Sequence, residues 1–150
     1  MENYNDKHIE LLSSLWHRII KLSQNIRLKN TYEVLQELST IEVGVINIIA
    51  QQPDVIFKDI CEALGLPKST LTNIIDRLEK RGLVERATSQ KDRRAYSLRL
   101  TGKGWQAQQE HIDFEQLVLE KIIDALDTEA EKKMLLELAD KVVIKLAEQF

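Results

Sequence analysis

Cysteine occurs once, as Cys61, which excludes an internal disulfide and is compatible with a reducing compartment. Two prolines and five glycines in 150 residues are too few for a collagen-like or low-complexity chain. No apolar run approaches the roughly 18 residues of a membrane helix. Met1–Asp6 lacks the basic start and apolar centre of a signal peptide, so a cytoplasmic protein without membrane association is expected. The three histidines, His8, His17 and His111, fall outside HxxH or CxxC spacing, and no metal site is expected from them. No Ser/His/Asp order, nucleophile motif or Gly-rich phosphate loop is present either. Catalytic residues and cofactors are therefore not assigned, and an enzyme is not expected.

What remains is an ordinary globular composition, 43% apolar and 30% charged, at the usual size of one domain. The net charge of −3 is unevenly spread. From Lys68 to Lys103 ten basic residues face four acids, a local charge of +6 that leaves −9 for the rest. A basic field of this kind can bind phosphates while acidic flanks keep the chain soluble.

Apolar residues Ile9, Leu12, Leu15, Trp16, Ile19, Leu22 and Ile26 recur at helical spacing, which predicts a long amphipathic helix from about His8 to Leu28. Ser39–Thr40–Ile41–Glu42 reads as a capping box that opens a second helix running to about Gln51, with Ile41, Val45, Ile48 and Ile49 as its apolar face. Pro53 stops it. Val55–Phe57 could form a very short strand before a helix from Lys58 to Leu64 with Ile60, Ala63 and Leu64 inward. Gly65, Leu66 and Pro67 form the turn into the next helix, with Pro67 at its first position. The pair reads as helix-turn-helix. In its second helix Leu71, Ile74, Ile75 and Leu78 must face a core, which turns Ser69, Thr72, Asn73, Asp76 and Lys80 outward with Thr70 and Arg77 on the flank. Gly82 ends that helix, and Leu83 is placed to touch Leu78.

Two strands follow, Leu83–Thr88 and Ala95–Leu100, the second alternating Tyr96, Leu98 and Leu100 against Ala95, Ser97 and Arg99. Their tip, Ser89 to Arg94, is entirely polar and holds three cations that repel one another unless an anion is near. Thr101 caps a long helix to about Leu126, and Thr128–Glu131 opens a last helix to about Gln149. The apolar stripes of the terminal helices find no partner within a small winged lobe. A symmetric homodimer interlocking the first and last helices is the economical solution.

The order of elements, the run Asp76–Arg77–Leu78–Glu79–Lys80–Arg81–Gly82–Leu83–Val84, and the wing Asp92–Arg93–Arg94 leading to Leu100–Thr101–Gly102–Lys103–Gly104 closely resemble the MarR family of bacterial transcription regulators. The likeness covers essentially the whole chain. It implies a mainly α fold with minor β content: a winged helix-turn-helix lobe at 37–103 flanked by dimerisation helices at 1–36 and 104–150, within one domain spanning 1–150. It also implies a dimeric regulator, often a repressor, that binds a pseudo-palindromic operator on double-stranded DNA and is released by a small-molecule effector. By the same resemblance Arg94 reaches the minor groove and Asp92 orients the wing arginines. Pro67 departs from the family, where many relatives carry a serine or similar cap.

Hydroxyl, amide and guanidinium groups match major-groove edges and the phosphates beside them, so Lys68, Ser69, Thr70, Thr72, Asn73 and Arg77 are the expected DNA contacts of the helix. Lys91, Arg93 and Arg94 are those of the wing. The effector pocket is expected where the first, second and fifth helices meet, at Trp16, His17, Ile20, Ile46 and Trp105. Cys61 reads as buried filler rather than an oxidant-sensing thiol. The rival readings are a helical protein-interaction module with an incidental basic wing, and a metal- or oxidant-responsive winged-helix regulator.

Overall fold

The computed structural model describes residues 4–29, 32–90 and 95–149. Helices α1 (Tyr4–Lys29), α2 (Thr40–Gln51), α3 (Phe57–Leu64) and α4 (Lys68–Lys80) precede a hairpin of β1 (Val84–Thr88) and β2 (Tyr96–Leu100), and α5 (Gly102–Asp124) and α6 (Glu129–Ala147) follow. A short 3-10 turn, Leu35–Glu37, lies between α1 and α2. The chain divides into two compact units, Met1–Phe114 and Glu115–Phe150.

In the first unit the core is built from α2, α3, α4 and the hairpin, with Leu35, Val45, Ile46, Val55, Ile60, Leu71, Ile75, Leu78, Leu83 and Leu98 almost wholly buried. Each such side chain contributes about 1.5–3 kcal/mol relative to leaving it in water. Both glycine-ended helices follow the spacing rule. After α3, Gly65 adopts φ +62° and Leu66 N–H donates to the Cys61 carbonyl at 3.0 Å. After α4, Gly82 at φ +70° lets Leu83 N–H reach the Leu78 carbonyl at 2.9 Å, while Gly82 N–H reaches Glu79. This is a Schellman end, and it aims the chain directly into β1.

The hairpin is antiparallel, with Val84 opposite Leu100 and Thr88 opposite Tyr96. At its root Thr101 N–H donates to the Leu83 carbonyl at 3.1 Å, and Thr101 Oγ1 donates to Gly82 O at 2.6 Å while accepting from Gly104 N at 3.1 Å. Thr101 thus caps α5 and closes the hairpin at once. Gly104 passes so near Leu83 that a Cβ there would lie 2.1 Å from the Leu83 carbonyl oxygen.

Five expectations are corrected. Ile41 is exposed, and α2 buries Glu42, Val43, Val45, Ile46 and Ile49, a face rotated toward the arginines of α4. Ala63 is exposed, because α3 is short and seats itself through Ile60, with Phe57, Cys61 and Leu64 partly covered. Tyr96 is 65% exposed and Ser97 is buried instead, because the Val55–Ile56 segment covers that face: Ile56 bridges Ser97, and Leu98 N–H donates to Val55 O. The short strand expected there is reduced to this bridge. Pro67 is the N-cap of α4 rather than its first helical residue, with φ −60° and ψ 144°, and its carbonyl accepts from Leu71 N–H at 3.1 Å.

Along α1 the side chains of Ile9, Leu12, Leu15, Trp16, Ile19 and Leu22 are exposed. In the second unit α6 starts at a capping box, Thr128 Oγ1 accepting from Glu131 N–H while the Glu131 carboxylate accepts from Thr128 N–H at 2.9 Å. Met134, Leu135, Leu138, Val142 and Leu146 of α6 are likewise exposed. No helix among the described residues is long and apolar enough to cross a membrane.

Candidate nucleic-acid interface

The polar face of α4 exists because its apolar positions are used up. Leu71, Ile74, Ile75 and Leu78 are buried, which turns Lys68, Ser69, Thr70, Asn73, Arg77 and Lys80 outward, with Thr72 half-buried. The first residues of α4 have N–H groups with no intrahelical acceptor, and no side chain of Pro67 is there to cap them. That helix end carries partial positive charge and is suited to a phosphate. Thr72 Oγ1 donates back to the Lys68 carbonyl at 2.8 Å, so its hydroxyl proton is already used.

Two carboxylates on α4, Asp76 and Glu79, would oppose DNA if left bare. Arg86 of β1 reaches both, with Nη2 2.6 Å from Asp76 Oδ1 and 3.2 Å from Glu79 Oε2, and its guanidinium lies 5.7 Å from the Phe57 ring centroid. Arg86 is thereby held as the clamp between wing and helix. Arg77 pairs with Glu42 of α2, Nε to Oε1 at 3.5 Å, and Arg81 lies near the same oxygen at 3.8 Å. Burial alone pushes the Glu42 carboxyl up. Hydrogen bonds from Ser39, with the Arg77 and Arg81 charges, outweigh it and hold the group below the usual glutamate range.

The wing is tied down from the α2–α3 turn. Asp54 takes the left-handed conformation, φ +59°, and its carboxylate accepts from Ser89 Oγ at 2.8 Å and from Gln90 N–H at 3.0 Å. Lys91, Asp92, Arg93 and Arg94 lie outside the described residues.

A hollow of about 730 Å³ opens beside the start of α4, lined among others by Phe57, Cys61, Lys68, Thr72, Arg86 and Tyr96. Cys61 is half-buried on its wall, not enclosed as core filler. Of the residues expected at an effector pocket, Ile46 is 1% exposed in the core, while Trp16, His17 and Ile20 stand exposed on α1. His17 Nδ1 donates to the Ser13 carbonyl at 2.7 Å. Trp105 instead lines a second hollow of about 540 Å³ with Pro53, Asp54 and Gln90. Among the described residues Gln108 Oε1 is buried without a hydrogen-bond partner, its Nε2 donating to Asn47 Oδ1 at 3.0 Å. Among the same residues no three His, Cys, Asp or Glu side chains gather as metal ligands would.

Sequence reasoning singled out the polar residues of α4 but missed Glu42, Asp54 and Arg86. Glu42 was visible only as a cap. The Pro53–Asp54 pair marks a turn but not what the carboxylate reaches.

A sequence model of the MarR family matches residues 36–95. The chain is similar to the transcriptional repressor MprA of Escherichia coli, 38% identical over 84 residues, which are 56% of this chain and 47% of that protein. It thus spans about half the length of that curated relative. The uncharacterized HTH-type transcriptional regulator YwhA of Bacillus subtilis is 24% identical over 132 residues, 88% of this chain and 91% of that one. Among solved structures, Streptococcus pneumoniae FabT in complex with DNA superposes with a TM-score of 0.77 at 26% identity, covering 99% of this chain and all of that one. A MarR-like regulator of Thermotoga maritima gives 0.76 at 28% identity, covering 93% and 96%.

Proposed function

We propose that the chain is a MarR-family protein, a cytoplasmic, DNA-binding transcription regulator acting as a homodimeric repressor. The observation that carries the reading is α4 itself: an exposed row of hydroxyl, amide and cationic groups, locked from behind by four buried apolar residues, with an uncapped amino end and both of its acids paired with Arg86. In this reading Lys68, Ser69, Thr70, Thr72, Asn73 and Arg77 meet the major groove and its phosphates. Lys91, Arg93 and Arg94 extend the contact along the duplex, with Asp92 orienting them.

The segments 1–36 and 104–150 serve as dimerisation helices around the 37–103 lobe. The exposed apolar stripes of α1 and α6 support this, since contiguous apolar surface on a folded chain marks an interface. Two copies would present two α4 helices to half-sites about one DNA turn, roughly 34 Å, apart. A small-molecule effector would relieve binding by favouring another spacing of the two helices, acting near Trp16, His17, Ile20, Ile46 and Trp105.

The test is selection of duplexes from a random pool by the full chain at two salt concentrations. Enrichment of a palindrome with half-sites one turn apart is expected, and absence of enrichment overturns the reading in favour of a protein-interaction module. With the enriched duplex, Arg94→Ala should weaken binding and lower the log–log salt slope by about one. Unchanged binding across the titration would remove Arg94 from the interface.

A further inference from the structure

A glutamate at the third position of a capping box usually keeps its second oxygen in water. Glu42 does not: the residue is 5% exposed. Its Oε2 accepts from Ser39 N–H at 2.9 Å and Ser39 Oγ at 2.8 Å, which leaves Oε1 directed at Arg77 of α4 and at Arg81, just past its end. Arg81 is shared with Glu37, 3.2 Å away. The Arg77 side chain is 60% exposed, so it presents free N–H groups outward while Nε is drawn toward Glu42.

The segment that leads into α2 is also fixed from behind. Glu110 of α5 accepts from Val34 N–H at 2.9 Å and Leu35 N–H at 2.8 Å. Arg27 of α1 donates to the Leu35 carbonyl and, at 2.8 Å, to that of Leu38. The turn that leads into α2 is clamped at both its donors and its acceptors. Glu42 therefore sets where Arg77 goes, and not the reverse.

We propose that Glu42 is a positioning residue for DNA reading: it holds the Arg77 guanidinium in one place beside the polar face of α4, and so raises discrimination between DNA sites rather than general attraction to DNA. The inference rests on the DNA-binding reading above. Its two consequences have opposite signs. A carboxylate beside a phosphate-binding arginine lowers the positive field that draws any duplex, so its removal strengthens or preserves non-specific binding. Loss of the held guanidinium weakens binding only where geometry matters.

Glu42→Gln in the full chain is the direct test, because glutamine serves the capping box while the charge is lost. Affinities are measured for the duplex enriched from the random pool and for a shuffled duplex of the same composition. The expected result is a loss of about fivefold in the ratio of the two, with the shuffled duplex bound as well as before or better. In an Arg77→Ala background the same change should have no further effect on the ratio. An unchanged ratio overturns the inference, as does an equal loss in the Arg77→Ala background. If Glu42→Gln fails to fold, Arg77→Lys replaces it: lysine keeps the charge but has no planar fork to hold, and an unchanged ratio there is equally fatal. Failure of the wild-type chain to bind any duplex would instead refute the parent reading.

Discussion

Replacing Gly104 by alanine would add one methyl group at the most crowded backbone crossing among the described glycines. The new Cβ would lie 2.1 Å from the Leu83 carbonyl oxygen and 3.1 Å from Leu100 Cβ. A carbon and a carbonyl oxygen ordinarily approach to about 3.3 Å, so the overlap is roughly 1 Å. No rotamer relieves it, because the offending atom is backbone. Leu83 is pinned by its N–H to Leu78 at 2.9 Å and by its carbonyl from Thr101 at 3.1 Å. Forced overpacking costs about 1–3 kcal/mol, and losing the Thr101 bond adds about 1 kcal/mol, which gives a total of about 2–4 kcal/mol. At about 3 °C per kcal/mol for a chain of this length, the melting temperature should fall by roughly 6–12 °C. Thermal unfolding followed by far-UV circular dichroism at fixed protein concentration measures it. Gly102→Ala is the control: a methyl group added there would meet nothing within 4 Å, and a change within about 0.5 kcal/mol is expected. A Gly104→Ala protein melting within about 2 °C of the wild type would refute the reasoning.

Two further outcomes are expected. A carboxyl whose folded value is depressed, as at Glu42, contributes stability in full above its unfolded value of about 4.3 and loses it as pH falls through the folded value. The stability gap between wild type and Glu42→Gln should therefore narrow from about pH 7 to about pH 3 in urea titrations, and a constant gap would discount the Ser39 and arginine contacts. Asp54→Ala should cost about 2–3 kcal/mol, from the left-handed backbone and the lost bonds to Ser89 and Gln90. Asp54→Asn should cost clearly less, because asparagine tolerates that conformation and keeps an acceptor; equal losses in denaturant would contradict the role assigned to it.

Local rules made much of the fold legible. The capping boxes at Ser39 and Thr128, the glycine ends at Gly65 and Gly82, and the apolar spacing of α4 all act within a few residues of themselves, and each forms as expected. The face of α2 was harder to read because Ile41, Val43, Val45, Ile46, Ile48 and Ile49 leave too little polar contrast to choose a side. The face that is buried sets the Glu42 carboxylate against Arg77 and Arg81, far along the chain, and separation of that kind leaves no local mark. Tyr96 and Ser97 exchanged places for a similar reason, since Val55 and Ile56 cover a strand face that alternation alone assigns to solvent. In the candidate interface, the outward residues followed from periodicity. The pairing of Arg86 with both acids and the tether from Asp54 came only with tertiary structure.

The root of the hairpin bears on how such a chain can change over generations. Thr101 seals Leu83 and Gly82 at the root, and Thr88 still pairs with Tyr96 at the far end, so the loop beyond Thr88 begins where the ladder is already closed. Residues can be inserted, removed or recharged at the tip without asking the core to repack, so a lineage can retarget its reach while the scaffold stays constant. The freedom at one end is matched by rigidity at the other: at Gly104 even one methyl group forces the backbone crossing apart.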